Sequence, residues 1–307
     1  MEVIGFVLHA KISRKKSLRA TLEKRFGVEY ELRFYETTRP RHAESLSMLA
    51  LSEGCDFLVA VGGDGTLNEV VNAFLKSRAK LTKTVALGVL PTGTGNDFAR
   101  GVGMNCSIDQ LYQAIRNNKP RMLDAGAMSF TRKDGTVYTR YFDNIADVGI
   151  GAEVVARVNG VHLRKKILGG TLTFILSALS TFMTYRHKKI RVSWSGQSFE
   201  GKVLGVVVAN GTYFGSGLGV APEAKMDDGQ FELIILGNVS VIDYLKNFSR
   251  LRRAEKINNP EVKYFRTPEV SIEPDRNIIV VEADGEIEGH APLRYSCLPG
   301  ALPFLVP

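Results

Sequence analysis

Cysteine is scarce in this chain: Cys55, Cys106 and Cys297 are the only three in 307 residues, odd in number and far apart. That excludes a disulfide framework and a CxxC zinc knuckle, and it fits a reducing, cytoplasmic compartment. His9, His42, His162, His187 and His290 show neither HxxxH nor HxH spacing, so a zinc site has no support. Neither a GxxxxGK[ST] stretch nor a GxGxxG occurs, which excludes a Walker A loop and takes from a dinucleotide Rossmann reading its main support. Repeats, low-complexity tracts and long linkers are absent as well. Because no nucleic-acid module or aromatic-basic interleaving is present, nucleic acid is not an expected partner. The opening MEVIGFVLHAKISRKK puts its apolar run before its basic cluster, with no small-residue cleavage site after it, which is not the order of a secretory leader.

Long hydrophobic runs are also missing, with one exception. Residues 167–185, ILGGTLTFILSALSTFMTY, are uncharged and bracketed by Arg164-Lys165-Lys166 and Arg186-His187-Lys188-Lys189. The run is close to the minimum length for a span, yet it contains Gly169, Gly170 and six Ser or Thr. Basic clusters on both sides also conflict with the positive-inside asymmetry. The segment is predicted to be a helix with one apolar stripe (Leu172, Ile175, Leu176, Leu179, Phe182, Met183), not a membrane span.

What is present is ordinary globular material: 44% hydrophobic and 23% charged residues, enough chain for two domains with separate cores. Forty Lys and Arg against 32 Asp and Glu leave a net charge of +8. Such an excess fits a polyanionic partner, whether an anionic membrane or a phosphorylated ligand, and it also fits plain solubility. Trp194 and the other aromatics are scattered over strand-like stretches, where core packing is the default.

The first third alternates β-rich runs (3–9, 30–35, 57–61, 84–90) with helical stretches (15–26, 41–53, 67–75, 96–100). That rhythm predicts βαβ units and a doubly wound parallel sheet. From about residue 123 the rhythm becomes strand after strand: 124–130, 137–145, 190–195, 202–210, 230–236, 261–270, 277–283 and 286–294. Turn pairs such as Asp134-Gly135 and Asp284-Gly285 punctuate them, which predicts an antiparallel β-sandwich with helical insertions at 163–185 and 241–253. The expected fold class is therefore α/β followed by β. A doubly wound nucleotide-binding domain covers 1–122 with a returning strand at about 296–307, a sandwich domain covers 123–295, and the active site lies in the cleft between them.

Two loops carry the chemistry. In 57–71, FLVAVGGDGTLNEVV, a buried strand runs into Gly62, Gly63 and Gly65, and an amphipathic helix begins at once. Exposed N–H groups and the helix dipole at such a junction favour an anion. Asp64, in the middle of this cradle, repels phosphates unless a divalent cation such as Mg2+ sits between them. A second cradle follows one βα unit later in 85–100, VALGVLPTGTGNDFAR, where Thr92 and Thr94 add hydroxyls and Asn96 or Asp97 can cap the next helix. Two such loops at the carboxyl ends of nearby strands would face one crevice.

GGDGTLNEVVNAF and LPTGTGNDFAR resemble the two signature loops of the diacylglycerol kinase catalytic domain family, within the lipid and sphingosine kinase superfamily. FDNI at 142–145, GIGAEV at 149–154, NGTYFGSG at 210–217, APEAKMDDGQF at 221–231 and ADGE at 283–286 are similar to later motifs of that family, in the same order. The resemblance implies an ATP-dependent, Mg2+-dependent kinase that phosphorylates a hydroxyl of diacylglycerol or a related lipid at a membrane surface. By resemblance, Gly62, Gly63, Asp64, Gly65, Thr66, Leu67 and Asn68 hold the ATP phosphates together with Gly93, Thr94 and Asn96, and Thr37 sits at the nucleotide pocket. Asp64 would engage the catalytic Mg2+, and Glu286 would be the general base. A structural Mg2+ is implied on the side chain of Asp228 and the carbonyls of Lys225 and Gln230, with Asp124 linking that loop to the active site through water. On the residues alone, a solvated hairpin position is the simpler reading of Glu286, and a hairpin turn that of Asp227-Asp228-Gly229.

The family's Asn-Pro-x-Ser-Gly stretch after the first strand is replaced by LHAKISRKK at 8–16, so its contacts do not carry over. Lys11, Arg14 or Lys15 can serve phosphates there, and so can a merely solvated basic face. The second turn, TTRPRHA at 37–43, lacks the usual Gly before its His, which weakens the assignment of Thr37. An NAD kinase also uses a GGDGT loop, but the Gly-Ser-Thr-Ala stretch expected of one is absent; a non-catalytic lipid-sensing member of the fold is the remaining alternative. Basic clusters at 14–19, 164–166, 186–189 and 250–256 predict peripheral contact with an anionic leaflet. Homodimer and monomer both stay open.

Overall fold

The computed structural model of the chain describes residues 1–131, 136–160, 176–177, 180–275 and 279–307. The Asp134-Gly135 turn, the basic cluster at 164–166 and half of the apolar stripe expected in 167–185 (Leu172, Ile175 and Leu179) lie outside the described residues. The chain divides into two compact units, one formed by Met1–Leu123 with Gly300–Pro307, the other by Asp124–Pro299.

In the first unit, strands β1 (Val3–Leu8), β3 (Phe57–Gly62) and β4 (Ala86–Pro91) are buried along their whole length, as runs such as FLVAVG require. With β2 (Glu31–Glu36) they pair in parallel in the order β2-β1-β3-β4, and the end of the final strand joins β4 through Phe304 and Leu87. Helices α1 (Lys15–Phe26), α2 (His42–Ser52), α3 (Asp64–Ser77), α4 (Asp97–Gly101) and α5 (Ile108–Asn117) connect them. The order reverses between β1 and β3: β1 leads outward to β2, and β3 leads the other way to β4. Loops at such a switch point diverge and leave a crevice at the carboxyl ends of the strands.

Two details differ from expectation. Helix α3 starts at Asp64 rather than near Leu67, because the N–H groups of Thr66 and Leu67 both bond to the Gly63 carbonyl (3.0 and 3.1 Å). Asp64 thus stands in the first turn of a helix, where a carboxylate complements the dipole. Helix α5 is not among the expected elements, although Ser107 caps it by accepting the Gln110 N–H at 3.2 Å.

In the second unit, a six-stranded antiparallel sheet runs β14 (Val262–Thr267), β13 (Phe231–Leu236), β10 (Gly205–Ala209), β7 (Ile145–Gly149), β16 (Val280–Ala283), β17 (Glu286–His290). One face of it supplies Val148, Val206, Leu233 and Val281 to a core shared with Met128 of β5 (Arg121–Thr131), Val192 of β8 (Lys188–Trp194), Ile272 of β15 (Glu269–Pro274) and Tyr295 of β18 (Leu293–Phe304). The other face is covered by a separate cluster around Ile145, Val207, Ile234 and helix α6 (Ile150–Gly160). β9 (Gln197–Val203) pairs with β8, and the short β11 (Tyr213–Phe214) with β12 (Leu218–Gly219); this is the β-sandwich that the strand rhythm implied.

The sandwich breaks two runs that read as single strands. Between β6 (Val137–Phe142) and β7 the N–H groups of Asp143, Asn144 and Ile145 bond to the Asp284 carboxylate (2.9, 3.1 and 2.9 Å) instead of a neighbouring strand. Between β14 and β15 stands Pro268, which has no N–H for a ladder. Helix α7 (Val241–Arg252) agrees closely with its expected span and opens with a capping box, Ser240 accepting the Asp243 N–H at 3.2 Å and Asp243 accepting the Ser240 N–H at 3.0 Å. Ser240→Ala is expected to cost about 1 kcal/mol, read as a lower urea midpoint at unchanged slope.

Candidate active site

The two Gly-rich loops meet backbone to backbone. A Cβ built on Gly93 would lie 2.5 Å from the Gly63 Cα, which leaves no room for a side chain at Gly93, and one on Gly63 would lie 3.2 Å from the Gly93 Cα, a tight approach. The Thr92 N–H bonds to the Gly62 carbonyl at the end of β3 (2.8 Å), and the Phe98 N–H donates to Asp64 Oδ1 (3.2 Å). Asn96 closes the second loop on itself: Gly93 N–H to Asn96 Oδ1 at 3.1 Å, and Asn96 Nδ2 to the Gly93 carbonyl at 3.0 Å. Gly65 is different, because a Cβ there would meet nothing within 4 Å. Packing therefore does not demand glycine at Gly65, in the first turn of α3, and the open space beside it is free for a ligand.

The remaining expected nucleotide residues divide sharply by exposure. Leu67 and Thr66 are buried, and Asn68 is buried with its side-chain oxygen accepting from Asn72 Nδ2 (3.1 Å), so these three side chains are packed inside the unit. Thr94 is exposed. Thr37 is buried and its hydroxyl accepts the Ala10 N–H at 2.8 Å, which ties the β2 turn to the loop after β1. That loop forms part of a polar cavity of about 370 Å³ lined by Lys11, Ser13, Arg14, Ser17 and Thr92. Lys15, the third cation of the stretch, is paired with Glu36 at 3.1 Å. Lys11 and Arg14 line the cavity, and Thr92 joins it to the second cradle.

In the second unit, Glu286 is exposed at the start of β17, directly after the two-residue turn Asp284-Gly285. Both turn residues have positive φ (47° and 84°), as a tight hairpin between right-twisted strands requires. The Asp284 carboxylate accepts the three N–H groups of 143–145, so the hairpin tip is anchored on the β6–β7 break. The Asp-Gly loop at 225–230 is anchored in the same manner, with the Gly229 N–H on Asp124 Oδ2 (2.7 Å) and the Asp124 N–H on the Met226 carbonyl (2.6 Å). Asn210 joins the two, donating to the carbonyls of Asp124 (3.1 Å) and Asp143 (2.7 Å). Asp228 accepts the Gln230 N–H (3.1 Å) and is ion-paired with Arg266. Among the described residues no cluster of three or more His, Cys, Asp or Glu side chains is poised to hold a metal ion; the donor set expected here has one carboxylate and two carbonyls.

Beneath the outer face of the same sheet lies a cavity of about 100 Å³ with an almost wholly apolar lining, including Val154, Phe182, Leu204, Val207, Leu218 and Leu236. Its wall contains one buried carboxyl group, Asp147.

Comparison with known proteins places this geometry in a class. The family model for the diacylglycerol kinase catalytic domain matches residues 10–128, and that for the YegS C-terminal NAD kinase beta sandwich-like domain matches 144–306. A protein of Pseudomonas aeruginosa named "Probable lipid kinase YegS-like" is 31% identical over 98% of this chain and 93% of its own length. The diacylglycerol kinase of Bacillus subtilis is 28% identical over 92% of this chain and 88% of its own. Among solved structures, a diacylglycerol kinase from Bacillus anthracis superposes with a TM-score of 0.77 at 21% identity, covering 100% of this chain and 97% of that one, which speaks to the fold. The chain belongs to the family of diacylglycerol kinases and YegS-like lipid kinases.

The structure thus brings Gly62, Gly63 and Asp64 together with Gly93 and Asn96, and Asp124 with the 225–230 loop. Reading the sequence missed Asp284 as an anchor and Arg266 as the partner of Asp228. The first had a local signal in its Asp-Gly pair; the second is 38 positions away and had none. Gly93→Ala is expected to lower the melting temperature because it forces the two loops apart. Gly65→Ala is expected to leave it unchanged while weakening ATP binding several-fold, read by calorimetry.

Proposed function

We propose that the chain transfers the γ-phosphoryl group of ATP to a hydroxyl of diacylglycerol or a related lipid. The observation that supports this most is the apolar cavity in the unit that also carries Glu286, since it suits an acyl chain and not a polar acceptor. The N–H groups of the first turn of α3 and the loop around Gly93 and Thr94 hold the phosphates, with Lys11 and Arg14 replacing the contacts of the family's missing first-loop motif. Thr37 orders the loop above them through Ala10.

Asp64 would hold the Mg2+ that neutralises phosphate charge when bound, and the open space at Gly65 leaves room for both. Glu286 takes the proton of the lipid hydroxyl as its oxygen bonds to the γ-phosphorus, and ADP leaves as the bond to the β-phosphate oxygen breaks. At the 225–230 loop a structural Mg2+ would require Asp228 to exchange Arg266 for the metal.

Among the described residues no helix is long and apolar enough to cross a membrane. Peripheral contact is proposed through α7, where Ile242 and Leu245 are 62% and 55% exposed and share a face with Lys246. The flanking basic clusters are less available than their sequence suggests: Arg253 pairs with Glu255, Lys256 with Glu223 and Lys189 with Glu200. Contact therefore depends on apolar insertion more than on charge.

Incubation with labelled ATP and Mg2+ over diacylglycerol, monoacylglycerol, sphingoid bases, phosphatidylglycerol and NAD is expected to label a lipid. Labelling of NAD alone overturns the reading. Glu286→Gln is expected to lower the rate by about 100-fold or more. Replacing Ile242 and Leu245 together by Glu is expected to reduce sedimentation with anionic vesicles while activity on detergent-dispersed lipid persists.

A further inference from the structure

Asp147 and Glu282 lie directly opposite each other on β7 and β16, each 4% exposed, with their side chains hydrogen-bonded. Two carboxyl groups in a β-sandwich, with no basic partner among their recorded contacts, are costly unless the arrangement serves something. Burial is the leading cause that raises both: Asp147 titrates at about 6, and Glu282, beside the Asp147 charge, lies well above the usual carboxylate range. Burial and mutual repulsion thus favour a proton shared by the two carboxyl groups over two adjacent charges. Tyr295, Tyr185 and Asp284 are the other titratable groups that feel this pair.

Each member spends its remaining oxygen on backbone. Asp147 Oδ1 accepts the Ala152 N–H at 2.7 Å in the first turn of α6, and Gly151 is required there because a Cβ would lie 2.1 Å from Asp147 Oδ2. Glu282 Oε2 accepts the Gly285 N–H at 2.7 Å, in the turn that carries Glu286. The pairing of β16 with β17 shifts register between Val281 and Glu282, so that Glu282 stands opposite Ile287 while Val281 stands opposite Gly289. Bulges of this kind re-aim side chains, and here the carboxyl group of Glu282 reaches back to its own hairpin tip. The tip is thus held at both residues, Asp284 by its carboxylate on 143–145 and Gly285 by Glu282.

We propose that Glu282, braced by Asp147, is a positioning residue for Glu286: it fixes the Gly285 N–H and with it the turn from which the base acts. The proposal rests on the reading of Glu286 as the base. Since Glu282 does not line the apolar cavity and Asp147 does, the loss of Glu282 should reach the chemical step without changing how the lipid binds.

The test compares Glu282→Gln, whose amide oxygen can still accept the Gly285 N–H and whose NH2 can donate to Asp147, with Glu282→Leu, which can do neither. On the lipid that the wild-type protein phosphorylates, Glu282→Leu is expected to lower kcat about tenfold or more at unchanged lipid KM, and Glu282→Gln to restore most of kcat. A wild-type kcat in Glu282→Leu, or equal impairment of the two variants, overturns the proposal. Hydrogen exchange at the Gly285 amide of the full chain without substrate provides a readout independent of activity: slow in the wild type and in Glu282→Gln, at least about tenfold faster in Glu282→Leu. Equal exchange in all three overturns the clamp. If the wild type phosphorylates no lipid, the functional reading fails, while exchange still decides whether Glu282 holds the turn.

Discussion

A carboxyl side chain accepting backbone N–H groups is the interaction that recurs at the turns of this protein. Asp64 receives Phe98, Asp124 receives Gly229, Asp147 receives Ala152, Glu282 receives Gly285, and Asp284 receives three successive groups from 143–145. Loops and strand breaks leave N–H groups without ladder partners, and a buried orphan costs about 1–3 kcal/mol. A carboxyl oxygen that accepts them offsets that cost and fixes the backbone in one conformation. The result is rigid turns at the places where a kinase needs its groups held still.

The two units reach rigidity by different means. In the first, bare backbone does most of it: Gly63 and Gly93 touch because neither has a side chain, and the N–H groups near them stay available for an anion. In the second, acidic side chains grip the turns, and Asn210 links the Asp124 loop to the 143–145 break and so to the hairpin of Glu286. This distribution suits the proposed chemistry, since phosphate oxygens favour donors and a lipid hydroxyl needs an acceptor. The apolar cavity lies against a sheet with both faces covered, the sandwich core on one side and α6 with its neighbours on the other.

The sequence made the chemistry-bearing loops legible and left their supports hidden. GGDGT, PTGTGND and ADGE could be found by reading because each packs its signal into a few adjacent residues whose backbone geometry is nearly obligatory. The start of α3 is hidden because Gly63 and Gly65 look like loop residues, although the Gly63 carbonyl is already the first helical acceptor. Helix α5 went unread although Ser107 marks its cap. The run 137–145 looked like one strand, since nothing in those nine letters reveals an acid 140 positions later that takes the N–H groups of 143–145.

By itself, the sequence determined the alternation of βαβ units and then of antiparallel strands, the two glycine cradles, the acidic hairpin tip and the family they define. These rest on local propensity, periodicity and turn geometry, which act between residues close in the chain. Only the tertiary structure decided that Arg266 balances Asp228, that Lys15 is paired while Lys11 and Arg14 line a cavity with Thr92, and that Asp147 meets Glu282. Those outcomes depend on strand register and on the desolvation that burial imposes. Register and burial belong to the packed sheet, where residues more than a hundred positions apart become neighbours and a carboxyl group can keep its proton.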